Sequence, residues 1–206
     1  MNEAANPRSE AKAVRRQALL DAAAGLFAAQ GFAGVSLDDL GAAAGVSGPA
    51  IYRHFAGKQA VLGALLVGVS RELLEGGLRA MNEAANKAIS TADDGDSALR
   101  ALVAFHVDFA LSKPDVIRVQ DRDFTSLSAD DQSAVRSLQL EYVDVWAHAL
   151  ARVHPEAAPG ELRLRAQAVF GLINSTPHSV RRTTRRAARR VLEAMALAAL
   201  TAPTPS

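Results

Sequence analysis

A short corner at residues 42–55, AAAGVSGPAIYRHF, restricts the fold more than any other stretch of the chain. Gly45 ends one helical pattern, and Ser47 is a preferred N-cap residue for the next helix. A proline follows in the first helical turn, where it is tolerated because amides there have no partner within the helix. Ile51 and Phe55 then lie four residues apart, on one face. The pattern predicts two short helices joined by a turn of about three residues, a helix-turn-helix.

The rest of the chain also has helical periodicity. Of the 206 residues, 49% are hydrophobic, and few stretches alternate with period two, so we expect an all-α fold. The expected helices cover 10–30, a short segment from Ser36, 57–90, 97–112, 114–124, 128–153, 159–175 and 179–201. Within the long helix, Gly76-Gly77 predicts a weak point or an end.

Two helix ends have specific signals. Gly31 followed by Phe32 predicts a C-cap with positive φ and its hydrophobic contact. Ser36 and Asp39 form an S-x-x-D pair close to a capping box, in which each side chain bonds the other residue's backbone amide. Both signals favour a short second helix that begins just after Ser36.

The composition excludes several kinds of site. The chain has no cysteine, which excludes disulfides, thiolate zinc sites, iron–sulfur clusters and a cysteine nucleophile. No secretory signal and no apolar run of about 20 residues is visible, so we expect a cytoplasmic protein without a membrane span. We expect no metal and no cofactor. A net charge of +1 is nearly neutral, so any DNA-binding hypothesis depends on where charges lie.

The helix after the turn has the side-chain pattern of a DNA-reading helix. Opposite its apolar pair lie Pro49, Ala50 and Arg53, and Tyr52 and His54 flank them. Small residues allow close approach to bases, an arginine reaches a guanine or a phosphate, and the flanking groups meet the two phosphate walls. The alternative is an ordinary corner of a helical bundle.

At this point the chain resembles the tetracycline-repressor (TetR) family of bacterial regulators. The resemblance covers about residues 12–66 and depends on LLDAAAGLFAAQGFAGVSLDDLGAAAGVSGPAIYRHFAGKQAVL. It implies a homodimer in which a three-helix head binds operator DNA and a larger helical domain dimerises and holds a small-molecule inducer. The expected division is a flexible arm at 1–9, the head at 10–57, the ligand-binding and dimerisation domain at 58–201, and a disordered tail at 202–206.

The resemblance also implies which residues contact DNA. The expected phosphate contacts are Ser36, Ser47, Tyr52, His54 and Lys58, and the residues expected nearest the bases are Gly48, Pro49, Ala50 and Arg53. Each serine is a helix cap in either interpretation. Tyr52 has an alternative interpretation as part of the core.

Two features depart from the family pattern. Asp38 stands where many members carry a contacting residue, and an acid facing phosphate is unfavourable. Gly48 has no side chain to read bases, which leaves a larger share to DNA shape and the N-terminal arm. Residues 1–60 carry six Lys/Arg against five Asp/Glu, so useful affinity requires two heads in a dimer.

In the C-terminal two-thirds, large rings and a few polar groups are candidates for an apolar pocket between helices. The candidate ligand-binding residues are Phe105, Phe109, Phe124, Tyr142, Trp146, Phe170 and Asn174, with His106, Gln120, His148 and His178 as further polar candidates. The alternative is that the rings are ordinary core and the histidines are surface or hydrogen-bonded core residues.

The last two helices are expected to form the dimer interface, because the family packs them as a four-helix bundle. The candidate interface residues are Val169, Phe170, Ile173, Val191, Leu192, Met195 and Leu197, with intrachain core as the alternative. The run RRTTRRAARR at 181–190 has six arginines. It is expected to be a solvated face, with a dimer-edge role or a site for a phosphate-bearing ligand such as an acyl-CoA as alternatives.

The sequence therefore predicts a ligand-responsive transcriptional repressor whose inducer is a small apolar or acyl-type molecule. One alternative is a helical protein-interaction module with a degenerate DNA-binding head, which Asp38 and the weak head charge favour. An enzyme is not expected. Asp108 near His106, or the pair Asp121 and Asp123, could serve as acid and base, but no nucleophile motif, phosphate loop or metal spacing accompanies them.

Overall fold

The computed structural model describes residues 7–46, 51–91, 96–179 and 183–203. Within these ranges the chain is helical with short connections and no strand, which confirms the all-α prediction. The helices are α1 Pro7–Gly34, α2 Leu37–Ala43, α3 Lys58–Thr91, α4 Ser97–Ser112, α5 Pro114–Asp123, α6 Ala129–Val153, α7 Pro159–Asn174, α8 Thr176–Ser179 and α9 Arg185–Thr201, with a 3₁₀ turn at Phe124–Ser126. None of the helices in these ranges combines the length and the apolar character needed to span a bilayer.

Helix α1 is longer than predicted at its start and bends near its end. It begins at Pro7, three residues before the expected position, because a proline is well tolerated in a first helical turn. The predicted break at Gly31 is present, with φ +81° and ψ 157°, and helical turns continue to Gly34. The rings of Phe27 and Phe32 approach within 5.7 Å across this bend. The glycine therefore allows the hydrophobic contact that the sequence predicted.

The long helix α3 is continuous, and the expectation of a weak point or an end at Gly76-Gly77 is wrong. A Cβ at Gly76 would lie 2.1 Å from the Phe105 ring, and a Cβ at Gly77 would lie 2.5 Å from the Tyr142 ring. Both glycines are buried. They are present because two aromatic rings pack directly on the helix backbone, a tertiary requirement that outweighs the cost of glycine inside a helix.

The end of the chain also differs from the prediction of one helix over 179–201. A short helix, α8, begins at Thr176 in the gap between the expected helices 159–175 and 179–201. Helix α9 begins only at Arg185, because the Thr184 hydroxyl accepts a hydrogen bond from the Ala187 amide at 3.3 Å and caps it. Helix α9 ends at Thr201.

Two hydrophobic cores organise the fold. The first contains residues of α1 and α2 together with Ile51 and Phe55, and it also takes apolar residues from α3, α5 and α6. The second lies between α4, α6, α7 and α9 and contains Trp146 at its centre. Because Val61, Leu62, Val116 and Val119 complete the first core, the expected boundary at residue 57 crosses a packed interior. The N-terminal head and the rest of the chain are therefore firmly joined.

Candidate functional site

The capping box predicted at the start of α2 is present. The Ser36 Oγ accepts from the Asp39 amide at 3.1 Å, and the Ser36 amide donates to the Asp39 carboxylate at 2.8 Å. The hydrogen bonds from the Ser36 side chain and backbone lower the pKa of the Asp39 carboxyl. The Ser36 hydroxyl is thus committed to the helix end, and its expected contact with phosphate stays a prediction.

The turn after α2 depends on two glycines. Gly45 has φ +66°, a conformation that side chains other than glycine rarely adopt, and it lets the chain leave the helix sharply. Gly41 is buried beneath Ile51, where an added Cβ would lie 2.9 Å from the Ile51 side chain. Sequence reasoning found the first glycine but gave the second no role, although a glycine inside a short amphipathic helix is itself a sign of close packing.

After the turn, apolar and polar side chains separate as predicted. Ile51 and Phe55 are buried, and the Phe55 amide donates to the Ile51 carbonyl at 3.0 Å, as in a helical turn. Tyr52 is 63% exposed and Arg53 is also exposed. The interpretation of Tyr52 as core is therefore wrong. A buried pair holds this segment while an aromatic hydroxyl and a guanidinium project from the head.

His54 lies half-buried beside this exposed pair. Its Nδ1 atom is buried and has no hydrogen-bond partner within the described ranges. Ser47, Gly48, Pro49 and Ala50, which were expected to contact DNA, lie outside the described residues. Their roles stay predictions.

Lys58 makes contacts that the sequence did not reveal. Its Nζ donates to the Phe32 carbonyl at 2.7 Å and lies 4.5 Å from the centre of the Phe32 ring. The ammonium thereby satisfies a carbonyl at the end of α1, where a positive charge is favourable. Its expected phosphate contact stays a prediction, and the structure adds a second role in holding α1 to the start of α3.

Four aromatic rings form a compact cluster inside the C-terminal part. The rings of His106, Tyr142 and Phe170 lie nearly parallel at the corners of a triangle, with centroids 5.7 Å apart for His106 and Tyr142, 4.8 Å for His106 and Phe170, and 5.3 Å for Tyr142 and Phe170. Trp146 meets all three edge-on, at 5.9, 6.2 and 5.1 Å. Four predicted ligand-site residues, Tyr142, Trp146, Phe170 and Asn174, therefore lie together with His106 between α4, α6 and α7.

The polar atoms of this cluster are almost all paired. His106 Nε2 donates to Asn174 Oδ1 at 3.1 Å, and Nδ1 accepts from the Tyr142 hydroxyl at 3.1 Å, which requires a neutral imidazole. Burial lowers the pKa of His106 to about 4, although the Asn174 hydrogen bond acts in the opposite direction. Burial also raises the pKa of the Tyr142 hydroxyl. Only Trp146 Nε1 is buried here without a hydrogen-bond partner among the described residues.

The other predicted ligand-site residues divide between two places. Phe105 packs on Gly76 at the edge of the cluster, and Phe109 lies 6.3 Å from the His106 ring. Phe124 packs against the first core instead, with the Arg136 guanidinium 5.0 Å from its ring. The grouping of Phe124 with the other rings was wrong, because the chain turns at Phe124–Ser126 and directs this ring toward the head.

The candidate dimer residues are partly inside the chain. Val169, Ile173 and Leu192 are buried, and Phe170 and Leu197 pack against the second core. Val191 is 55% exposed and Met195 is 51% exposed, one turn apart on α9. They lie along a mainly apolar groove of about 320 Å³ that Leu172 and Ala188 also line.

The arginine run begins outside the described residues, but its second half lies at the start of α9. Arg185 and Arg189 both pair with the Asp108 carboxylate of α4, Arg185 at 3.2 Å. Arg186 and Arg190 are exposed. Asp108 therefore ties α9 to α4 and does not face His106 as an acid–base partner, since both His106 nitrogens already bond Tyr142 and Asn174.

Family models match most of the chain. The model described as bacterial regulatory proteins, tetR family, matches residues 19–65, and the model described as tetracyclin repressor-like, C-terminal domain, matches residues 92–201. Comparison with curated proteins finds no match.

Solved structures share the whole architecture. A TetR-family regulator, PfmR from Thermus thermophilus, is 22% identical with a TM-score of 0.73 over 91% of this chain and 99% of its own. A TetR-family regulator from Bordetella parapertussis is 22% identical with a TM-score of 0.74, over 90% and 93%. AibR in complex with isovaleryl coenzyme A and operator DNA is 18% identical with a TM-score of 0.65, over 88% and 97%.

The two family models together cover the corner at the head and the helices that enclose the aromatic cluster. The solved structures agree with them over nearly the whole chain. The chain belongs to the TetR family of bacterial DNA-binding transcription regulators, with a helix-turn-helix head and a helical C-terminal domain.

Proposed function

We propose that the protein is a dimeric transcriptional repressor that a small apolar or acyl-type ligand releases from its operator. The observation that carries the DNA-binding part is the exposed pair Tyr52 and Arg53, held in place by buried Ile51 and Phe55. The arrangement supports a helix that enters the major groove from the head, with a phosphate-binding hydroxyl and a cation on its outer side. The cytoplasm, where the DNA lies, is the proposed location.

The proposed operator-binding head covers residues 10–57, and the ligand-binding and dimerisation domain covers 58–201. The candidate contacts with DNA are Ser36, Ser47, Gly48, Pro49, Ala50, Tyr52, Arg53, His54 and Lys58. Asp38 is exposed on α2 and would face phosphate unfavourably, so the helix after the turn is proposed to carry the recognition. Two heads related by a two-fold axis would contact half-sites about one helical turn of DNA apart, roughly 34–36 Å.

Removing either exposed side chain is expected to weaken binding to a duplex that the wild-type protein selects from a random pool. We expect Tyr52→Ala and Arg53→Ala each to lower affinity by about 1–3 kcal/mol, because each removes one contact and leaves the buried pair intact. Gel-shift titration of the purified variants measures this effect. Arg163→Ala is the matched control, since Arg163 pairs with Asp144 in the C-terminal part at 2.7 Å.

Equal affinity of both variants and the wild type would contradict the assignment of the recognition helix. It would favour the alternative function, a helical protein-interaction module whose head has lost DNA binding. The exposed Asp38 and the nearly balanced charge of the head are the observations that favour that alternative.

The proposed inducer site is the cluster around His106. Ligand pockets in proteins are mostly apolar with a few convergent polar groups, and this cluster combines stacked rings with Asn174 and the buried Trp146 N–H. A ligand that separates the rings and offers an acceptor to Trp146 would satisfy that donor. AibR, which has the same fold, is solved in complex with isovaleryl coenzyme A and operator DNA, and this relative supports the proposal of an acyl-type ligand.

Trp146 is the only tryptophan in the chain, so its fluorescence reports on this cluster alone. We expect a ligand of the proposed class to change the Trp146 emission and to release the selected duplex over the same concentration range. Short- and medium-chain acyl-coenzyme A esters and the matching free acids are the probes, with free coenzyme A as the control. Release of the duplex without any change in emission would place the inducer site elsewhere.

The exposed stripe of Val191 and Met195 supports a homodimer through α7 and α9. Half-exposed apolar residues beside a groove of about 320 Å³ are typical of surfaces that a partner covers. Of the candidate interface residues, we propose that Val191 and Met195 contact the second copy. Val169, Ile173 and Leu192 are buried in the core beneath this surface and would not contact it. A second copy is the proposed occupant of the groove.

A further inference from the structure

Helix α5 carries two arginines, Arg118 and Arg122, that lie four residues apart and so share one side of the helix. Each makes contacts with a different part of the molecule. Arg122 donates to the Phe27 carbonyl and, at 3.4 Å, to the Ala28 carbonyl, both near the end of α1. Arg118 donates to the Pro177 carbonyl of α8 at 2.9 Å. One short helix therefore contacts the head through Arg122, near its C-terminal end, and the C-terminal part through Arg118, in its middle.

The contact with the head is built from several features. Asp123 is 7% exposed and accepts from Arg122 at 3.1 to 3.3 Å, which orients the guanidinium. Gly31 lies beside it, since a Cβ there would be in ordinary contact with the guanidinium carbon, at 3.6 Å. The carbonyls at a helix C-terminus lack partners within the helix and attract positive charge. Arg122 supplies this charge from a residue 95 positions away in sequence.

The contact with the C-terminal part leads toward the aromatic cluster. Pro177 follows three residues after Asn174, the residue that accepts from His106. Thr176, which lies between them, is buried and donates to the Ala110 carbonyl of α4 at 3.4 Å. Asp115 accepts from Arg118 at 2.7 Å and orients it, much as Asp123 orients Arg122. A movement of the segment after Asn174 would therefore pull on α5 through Arg118.

We infer that Arg118 and Arg122 are positioning residues that make α5 a rigid connector, fixing the angle of the operator-binding head relative to the aromatic cluster. The inference rests on the proposed function for its effect on DNA, and on geometry alone for its effect on the head. Neither arginine touches DNA. Each acts through the backbone carbonyls that it holds.

The test uses the full-length protein and the duplex selected by the wild type. We expect Arg122→Gln to weaken binding about tenfold and Arg122→Lys to weaken it less, since a lysine keeps the positive charge and a donor to the carbonyls but not the guanidinium fork. The slope of log Kd against log salt concentration is expected to stay at the wild-type value, because no phosphate contact is lost. Arg163→Gln, which removes an arginine of the C-terminal part, is the control and is expected to bind like the wild type.

A double-variant cycle tests the connector itself. If the two arginines act through one rigid helix, losing either contact loosens the same connection, so the double variant Arg118→Gln/Arg122→Gln is expected to bind only slightly more weakly than whichever single variant binds more weakly. If the fold loss of affinity in the double variant equals the product of the losses in the two single variants, the arginines have independent local roles and the inference is overturned. A salt slope lowered by about one unit in Arg122→Gln would show a direct phosphate contact and would overturn it as well.

Hydrogen–deuterium exchange separates this inference from the proposed function. We expect Arg122→Gln to speed amide exchange in peptides that cover residues 19–34 and to leave those that cover 97–112 unchanged. If Arg122→Gln leaves Asp123 unpaired and the protein unfolds, the double variant Arg122→Gln/Asp123→Asn removes both charges and carries the same expectation. Unchanged exchange in 19–34 would overturn the connector, whereas a wild type that selects no duplex would overturn only the proposed function.

Discussion

Lowering the pH from 7 to 4 is expected to reduce the unfolding free energy of the wild type by about 3 kcal/mol more than that of a His106→Gln variant. Burial lowers the pKa of His106 to about 4 in the folded protein, against 6.5 for an unperturbed histidine. Between these values the unfolded chain binds a proton that the folded protein does not bind. Stability from this residue is therefore fully present above pH 6.5 and is lost as the pH falls toward 4.

Urea unfolding of both proteins at pH 7, 5.5 and 4 measures this difference. Carboxylates titrate in both proteins, so their contribution to the pH dependence cancels when the unfolding free energy of His106→Gln is subtracted from that of the wild type. His148→Gln is the control, because His148 is exposed and its loss removes an imidazole without disturbing the cluster. An identical pH dependence in the wild type and His106→Gln would show that His106 is not held neutral between Tyr142 and Asn174.

Met195→Glu is expected to convert the proposed dimer to a monomer. Met195 is 51% exposed beside the groove of α9, and a carboxylate placed there would lose water on association without gaining a partner. We expect the dissociation constant of the dimer to rise at least about 100-fold, which corresponds to roughly 3 kcal/mol. Sedimentation equilibrium over a range of protein concentrations measures it.

Leu140→Glu is the matched control for this change. Leu140 is 59% exposed on α6, away from the groove, so the same charge there is expected to leave the dimer intact. A Met195→Glu protein that stays dimeric would show that the α9 groove does not face a second copy. A monomeric wild type would overturn the dimer itself.

Local chemistry made the head predictable from sequence. Ile51 and Phe55 bury and Tyr52 is exposed because residues four apart share a helix face, and this geometry needs no knowledge of the rest of the chain. The capping box at Ser36 and the turn at Gly45 follow from hydrogen bonding and backbone sterics over a few residues. The resemblance added the function of this corner, which periodicity alone left open.

Long-range packing was not predictable in the same way. Gly76-Gly77 resembles a helix end, yet the rings of Phe105 and Tyr142 require glycine there inside a continuous helix. A Gly-Gly pair inside a helical pattern can indicate close packing, but the rings that pack on it belong to α4 and α6, which are distant in sequence. The contacts of Arg122 with α1 and of Lys58 with Phe32 join residues far apart in sequence, and no local pattern marks them. Phe124 was misplaced for the same reason.

The measurement that tests the central claim most directly is the salt dependence of binding to the selected duplex, for the wild type and Arg53→Ala. We predict that the wild type prefers this duplex to a scrambled one and loses affinity steeply as salt rises. We predict that Arg53→Ala binds more weakly at every salt concentration. A wild type without preference for the selected duplex, or an Arg53→Ala protein with wild-type affinity throughout, would contradict a DNA-reading role for the exposed pair Tyr52 and Arg53.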